Sequence, residues 1–428
     1  MTFVDERAGR RAAHGAPTPG SLARGEMECE VCIVGATLAG LWLALGLALR
    51  GRDVVVLDPG EGDAGDPLLR RETLRPGLGL TATALCAVAD RDTARRLHHF
   101  SQTAYMRAVR LLEALGFAPE AEGFIHVPGP RGRLDLIDEA ASRDTLGLQG
   151  LATLGAGHIA ALIGTSAFVG ALHDPQAATY SLTGFPRRLA AAASAAGARL
   201  LPRTPVVGAD VNGVRKYLTC PTLRVRADHV AFCMEEGLAA AAPWLRRALG
   251  RGFFVEGVFA PRDTSGTADE TVREGGQRGL AFAWQAGKLR VRAPTATHTV
   301  RAGAAAVVLR RQGSRLFPTL RRAVTGEARG GSIGTTVHGL PLIGSPRPGV
   351  WYAVALGHQA VVNAAMAADL ITAAMVDRDD AIQAFAPFAA ERSRQVVPAL
   401  VRPVAYWMGH LADAAERRRA EENDRAAR

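Results

Sequence analysis

The sequence predicts an α/β fold: a parallel sheet flanked by helices, accompanied by a mixed, mostly β region. Three observations carry this prediction. Val31-Cys32-Ile33-Val34 is a fully apolar, β-branched run of the kind buried centrally in parallel sheets. It passes through a glycine turn into an apolar helix and then a second apolar strand that ends in an acid. Towards the other end, Val350 to Ala355 repeats the strand–glycine–helix order, while Phe253 to Leu309 between them reads as mixed and mostly β.

Composition narrows the class. The 428 residues are about two to three domains' worth of chain, and 48% hydrophobic with 21% charged residues excludes whole-chain disorder, a fibre and a disulfide miniprotein. Five cysteines, an odd number, do not form a disulfide framework, so a reducing, cytoplasmic compartment is expected. The net charge of +10 comes almost entirely from arginine, only Lys216 and Lys288 being lysine. No basic stretch is interleaved with aromatics as in a stacking platform, so nucleic acid is not an expected partner.

Residues 1–27 read as a disordered tail, lacking the apolar core of a signal peptide. Val31 to Leu49 is uncharged and nearly long enough to cross a membrane. Its glycines divide it instead into strand, turn and helix: Gly35-Ala36-Thr37-Leu38-Ala39-Gly40 opens a helix to about Arg50, Gly51 stops it, and Asp53 to Asp58 is the second strand. Such a unit binds a dinucleotide, because the helix N-terminus offers free N–H groups and a positive dipole end to a pyrophosphate while the acid accepts ribose hydroxyls. The middle glycine of the usual pattern is Thr37, which either crowds the phosphates or donates its hydroxyl to one. The alternative is an ordinary α/β unit in which Gly40 serves only close packing. Cys29 and Cys32 read as structural cysteines on opposite faces of a strand.

Helical spacing runs from Asp90 to Leu115, with Gly116 as C-cap. Ile125-His126-Val127 and Leu134-Asp135-Leu136 read as short strands, and Asp138 to Ala141 as the start of a helical turn. Gly170 to Pro175 leads through Tyr180 to a helix from Phe185 to Ala196, then to the strand Arg199-Leu200-Leu201. Leu223 to Val225 and Val230 to Cys233 read as two strands, Gly330 to Gly334 as a loop, and Ala360 to Met375 as an apolar helix after the turn at Gly357.

Taken in order, these pieces resemble the FAD-dependent amine and amino-acid oxidase family that includes D-amino-acid, glycine and sarcosine oxidases. The resemblance covers Glu28 to about Arg419. It rests on the first strand–helix–strand, on Gly170-Ala171-Leu172-His173-Asp174-Pro175, on Arg203-Thr204-Pro205-Val206, on His338-Gly339-Leu340-Pro341-Leu342-Ile343-Gly344 and on Ala355-Leu356-Gly357-His358. The segment Val397 to Met408 resembles the gamma-glutamylputrescine oxidoreductase branch. The resemblance implies a Rossmann-like FAD-binding domain, discontinuous over 28–96, 156–245 and 328–378. It further implies an inserted, mostly antiparallel β substrate domain over 97–155 and 246–327, and a C-terminal helical segment over 379–428. The implied chemistry is oxidation of the C–N bond of a small amine or amino acid to an imine, by hydride transfer to noncovalent FAD.

Carried over position by position, Gly35, Ala36, Thr37 and Gly40 match the pyrophosphate turn, Asp58 the ribose acid, and Val206 the backbone contact on the adenine side. Gly334, Gly357, His358, Gln359 and Ala360 match the segments beside the flavin. His358 and Tyr180 are the catalytic candidates, with a cap and a packed core tyrosine as the respective alternatives. Arg290, Arg292 and Arg301 lie where an arginine would grip a carboxylate bidentately, solvated strand arginines being the alternative. His173 and His338 read as structural, and Arg417 to Arg419 as a solvated helix end. The sequence departs from the family at Thr37, at the acids of Gly60 to Asp66, at Cys233-Met234-Glu235-Glu236-Gly237, and at His338 and Gln359. These departures support a second reading: a flavin-free relative that acts as a binding or scaffold subunit beside a partner oxidoreductase.

Overall fold

A computed structural model describes residues 25–61, 71–129, 131–235, 237–261, 266–275, 279–295 and 302–390, together with residues 408, 415, 418 and 419. The N-terminal tail, Arg301, Glu236, most of the Gly60 to Asp66 segment and nearly all of Val397 to Met408 lie outside the described residues.

The apolar run Val31–Val34 sits at the centre of the first sheet. Its strand, Gly25–Val34, pairs in parallel with Val54–Leu57 on one side and Leu223–Phe232 on the other. Beyond them lie Arg199–Leu201 and Val350–Val354, also parallel, with Leu342–Arg347 as an antiparallel edge. Leu223 to Val225 and Val230 to Cys233, read as two strands, form one: Asp228 and His229 between them are only half-buried and interrupt the apolar pattern without interrupting the ladder.

Alternation along the central strand divides the core. Val31 and Ile33 face the helices Leu38–Ala48, Arg91–Ala114, Phe185–Ala195 and Ala360–Val376, while Cys32 and Val34 face Leu238 and Leu245 on the opposite side. Cys29 and Cys32 share that second cluster and a side-chain hydrogen bond, so strand twist defeats the ideal alternation that would have separated them. Asp90 caps the Arg91–Ala114 helix by accepting from the N–H groups of Asp92 and Thr93 at 3.1 and 3.0 Å. Leu134-Asp135-Leu136, read as a strand, belongs to the helix Arg133–Leu146. Three residues are too few to separate the two periods, and the turn of helix places Glu139 where its carboxylate caps Ala82 and Thr83, both at 2.9 Å.

The second sheet has nine strands and is mixed: Thr271–Glu274 runs parallel to Pro119–Val127, and the other pairings are antiparallel. Arg71–Leu74 and Gly170–Ser181, from stretches expected in the cofactor domain, hydrogen-bond in this sheet, as does Val324–Thr335, which straddles the expected boundary at 328. Gly330 to Gly334, read as a loop, is strand. Each residue pairs with Arg251 to Val255, so the backbone ladder supplies the order that glycine composition withholds. Along these strands Val255, Val272, Phe282, Trp284, Leu289 and Val291 face a core closed by the helices Ala156–Ile163 and Ala302–Gly313. The alternate residues face the first sheet's C-terminal helix across a cavity. Among the described residues, no single helix is long and apolar enough to cross a membrane.

Candidate active site

The first-sheet turn is built by steric necessity. Gly35 has φ +108°, and a Cβ there would lie 2.6 Å from Cβ of Met234, while one at Gly40 would overlap the Gly35 carbonyl. Only glycine lets helix and strand approach this closely. Thr37 is the N-cap of the helix Leu38–Ala48; its hydroxyl donates to the Cys233 carbonyl and accepts from Gly40 N–H at 3.4 Å. The hydroxyl is thereby turned along the protein. As at any helix start, the N–H groups of Leu38 and Ala39 lack an intrahelical acceptor.

Asp58 follows the second strand, with Oδ1 accepting from Gly60 N–H at 3.1 Å. Its carbonyl accepts from Thr204 N–H at 2.7 Å, which ties the segment carrying the buried Val206 to the same edge. The expected adenine-side residues are thus brought together. Glu235 Oε1 accepts from Ala355 N–H at 3.1 Å and its carboxylate packs against Gly334, so this acid bridges two segments beside the cofactor edge.

Beside the N-terminus of Ala360–Val376 lies a cavity of about 410 Å³, walled by Gly357, His358, Gln359 and Ala360 and floored by the second sheet. Arg290, Arg292 and Pro294 line it from one strand, and Arg71, Glu72 and Thr73 from another, with Arg75 just past that strand's end. Arg273, Phe124, Phe254 and Glu256 complete its chemically distinctive lining. The Arg292 guanidinium lies 3.6 Å from the centroid of Phe254, and that of Arg75 lies 4.6 Å from Phe124. Thr73 Oγ1 donates to Thr271 Oγ1 at 2.6 Å, fixing two floor strands to each other.

Electrostatics in the cavity are dominated by burial. It pushes the Glu72 carboxyl up to about 8, against the opposing influence of the Val361 N–H and Arg292. Burial, with the Arg273 and Arg292 guanidiniums nearby, holds the His358 imidazole well below its usual range, so it is neutral at physiological pH. Gln359 is fully engaged: Oε1 accepts from Arg75 N–H at 3.1 Å and Nε2 donates to the Thr73 carbonyl at 2.7 Å.

Of the two catalytic candidates, His358 lines the cavity and Tyr180 does not. Tyr180 is 1% exposed and sits in the apolar core beneath the first sheet's helices. His173 meets Glu270 at 3.2 Å, and His338 Nδ1 accepts from Leu340 N–H at 3.1 Å with its ring against Phe388. Sequence reasoning flagged Arg290 and Arg292 but missed Arg71, Arg75, Arg273 and Glu72. The available signal was spacing by two: arginines at alternate positions of a strand share one face.

A glycine turn opening the helix Leu38–Ala48, an acid after the next strand and a second glycine-led helix beside a cavity form the arrangement expected of a dinucleotide site. The chain belongs to the FAD dependent oxidoreductase family, whose model matches residues 30–374. Glycine oxidase from Geobacillus kaustophilus shares the fold at TM-score 0.68 and 19% identity, over 86% of this chain and 100% of that one. L-Proline dehydrogenase from P. horikoshii does so at 0.68 and 14%, over 86% and 98%. Iminodiacetate oxidase from Chelativorans sp. BNC1 does so at 0.60 and 20%, over 81% and 95%. Comparison with curated protein sequences gave no match. The gamma-glutamylputrescine branch has no support from these relatives.

FAD is the cofactor of this family, and the residues present fit it. The steric demand for glycine at 35 and 40, the outward N–H groups of Leu38 and Ala39, and the Asp58 carboxylate meet the needs of a pyrophosphate and a ribose. The Thr37 hydroxyl is turned to the Cys233 carbonyl.

Proposed function

We propose that this chain is an amine or amino-acid oxidase or dehydrogenase that converts a C–N bond to an imine, which water then hydrolyses. When bound, FAD supplies the hydride acceptor. The observation that carries the reading is the cavity between the Gly357–Ala360 loop and a floor of inward-facing arginines. Arg292, whose guanidinium bears on His358, holds the substrate carboxylate and so orients the carbon bearing the amine. His358, kept neutral, offers a hydrogen bond to the amine without adding positive charge beside it. Phe124, Phe254 and Ile333 exclude water from the reacting carbon.

The six-strand path of the first sheet is on this reading the cofactor layer and the nine-stranded sheet the substrate layer. The Gly35–Gly40 turn, Asp58 and Val206 hold the nucleotide half, and Gly357 to Ala360 face the ring.

The test is the visible spectrum of natively purified protein, before and after incubation with FAD. A flavin spectrum that bleaches anaerobically with an amine supports the assignment. Protein that stays colourless after reconstitution and desalting overturns it in favour of a flavin-free binding subunit.

A further inference from the structure

The cavity floor carries more positive charge than one carboxylate balances. Strand register explains how it accumulates. Arg292 stands opposite Ala281, and Ala281 opposite Arg273, so the two arginines lie two strands apart, roughly 10 Å at Cα. Arg290 lies two residues before Arg292 on the same face, and Arg71 lines the cavity from a further strand, with Arg75 just past that strand's end.

This charge is met only in part from within, Asp174 and Glu139 bearing on Arg75 and Glu120 and Asp269 on Arg71. Five arginines and two glutamates line the cavity. Glu256 Oε1 is engaged by the Arg329 guanidinium at 2.8 Å, and Glu72 is largely protonated at neutral pH. Arg71 pairs with Glu120 at 2.9 Å, yet its Nη2 is buried without a hydrogen-bond partner. Among the described residues Arg75, Arg273 and Arg290 form no ion pair, and Arg290 Nε is also buried and unpartnered.

The charges that bear on Arg273 are two like ones, the guanidiniums of Arg75 and Arg292. Burial first, and these neighbours second, lower its pKa to about 10. Stacking on Phe124 and Phe254 offsets part of the cost for Arg75 and Arg292, but cation–π attraction is smaller than the penalty of burying an ion. The guanidiniums also fall into two sets. Arg75 and Arg292 both bear on Arg273, and Arg273 and Arg292 both bear on His358, whereas the like charge bearing on Arg71 is Arg290. A single carboxylate, accepting bidentately, satisfies one set and leaves the other.

We propose that the substrate of this cavity is a compact amine carrying at least two separate anionic groups, one held by Arg75, Arg273 and Arg292 and the other by Arg290 with Arg71. Its status as a substrate rests on the oxidation reading above; the paired anion sites are a property of the cavity itself.

Calorimetry on the purified full chain tests the sites directly, with glutarate and butyrate as probes. Glutarate binds at least tenfold more tightly than butyrate, and raised salt weakens glutarate more steeply. Arg273→Gln and Arg290→Gln each abolish the glutarate advantage, bringing glutarate to within about threefold of butyrate. Both variants melt no lower than the parent without ligand, because each relieves an uncompensated buried charge. Equal affinity for the two acids, or no binding of either at millimolar concentration by folded protein, overturns the proposal.

Flavin reduction separates this from the oxidation reading. Glutarate selectivity with no amine reducing the flavin sinks the oxidation reading alone. Alanine reducing the flavin as efficiently as aspartate or glutamate in either configuration sinks the two-anion proposal alone.

Discussion

The Glu72 carboxyl accepts a hydrogen bond from the backbone N–H of Val361 at 3.1 Å, so a buried acid in the second sheet caps the helix that walls the cavity. Burial outweighs this bond and the nearby Arg292, and the folded pKa is raised to about 8 from 4.5. Between these values the native chain keeps a proton that the unfolded chain releases. Stability from this group is therefore fully present below pH 4.5 and is lost as pH rises towards 8, by at most about 1.4 kcal/mol per pH unit. Glu72→Gln, which keeps an acceptor for Val361, is expected to be more stable than the parent at pH 8 and to lose this slope. Burial draws His98 and His126 down to about 4, and they act in the opposite sense at lower pH. The difference between parent and variant denaturation midpoints at pH 5, 6.5 and 8 is thus the measurement, and parallel profiles would refute the assignment.

Thr37 separates a capping role from a phosphate contact. Its hydroxyl bonds Cys233 and Gly40, so Thr37→Ala is expected to cost about 1 kcal/mol of stability and Thr37→Gly only a few tenths. Fluorescence titration of the apoprotein with FAD should give affinities within about threefold of the parent for Thr37→Ala. A tenfold loss would show that the hydroxyl reaches the cofactor.

Gln359 joins the helix start to the Thr73–Arg75 backbone. Gln359→Ala leaves one N–H and one carbonyl of that segment without this partner. The expected cost is roughly 1–3 kcal/mol in urea denaturation. An unchanged midpoint would mean that water replaces the amide at no cost.

Legibility in the sequence followed the range of the interactions. The unit from Val31 to Asp58 was readable because a β-branched run, a glycine turn and an acid lie within thirty or so residues and each has a local physical meaning. Gly330 to Gly334 was not, since its strand exists only through pairing with Arg251 to Val255, far away in the chain. The same holds for the cavity. Arg290 and Arg292 were suspected from their neighbourhood, but Arg71 and Arg273 come from segments two hundred or so residues apart, joined through Pro119–Val127 and Gly170–Ser181. Thr37 and Gln359 read as departures from the family, whereas their side chains have partners that only the folded chain supplies.

His358 provides the last test, because its neutrality has a definite cause. Burial and the guanidiniums of Arg273 and Arg292 all disfavour imidazolium and hold its pKa well below the usual range. A pH profile of kcat/KM with a reducing amine should therefore show the same acid limb in the parent and in His358→Gln, while KM rises as a hydrogen bond to the amine is weakened. Arg273→Gln removes one of the two charges and is expected to raise the His358 pKa, moving the His358 limb to higher pH. That limb should vanish again in the double variant with His358→Gln. If the parent already loses an acid limb on His358→Gln alone, the imidazole titrates in the working range and the arginines do not control it.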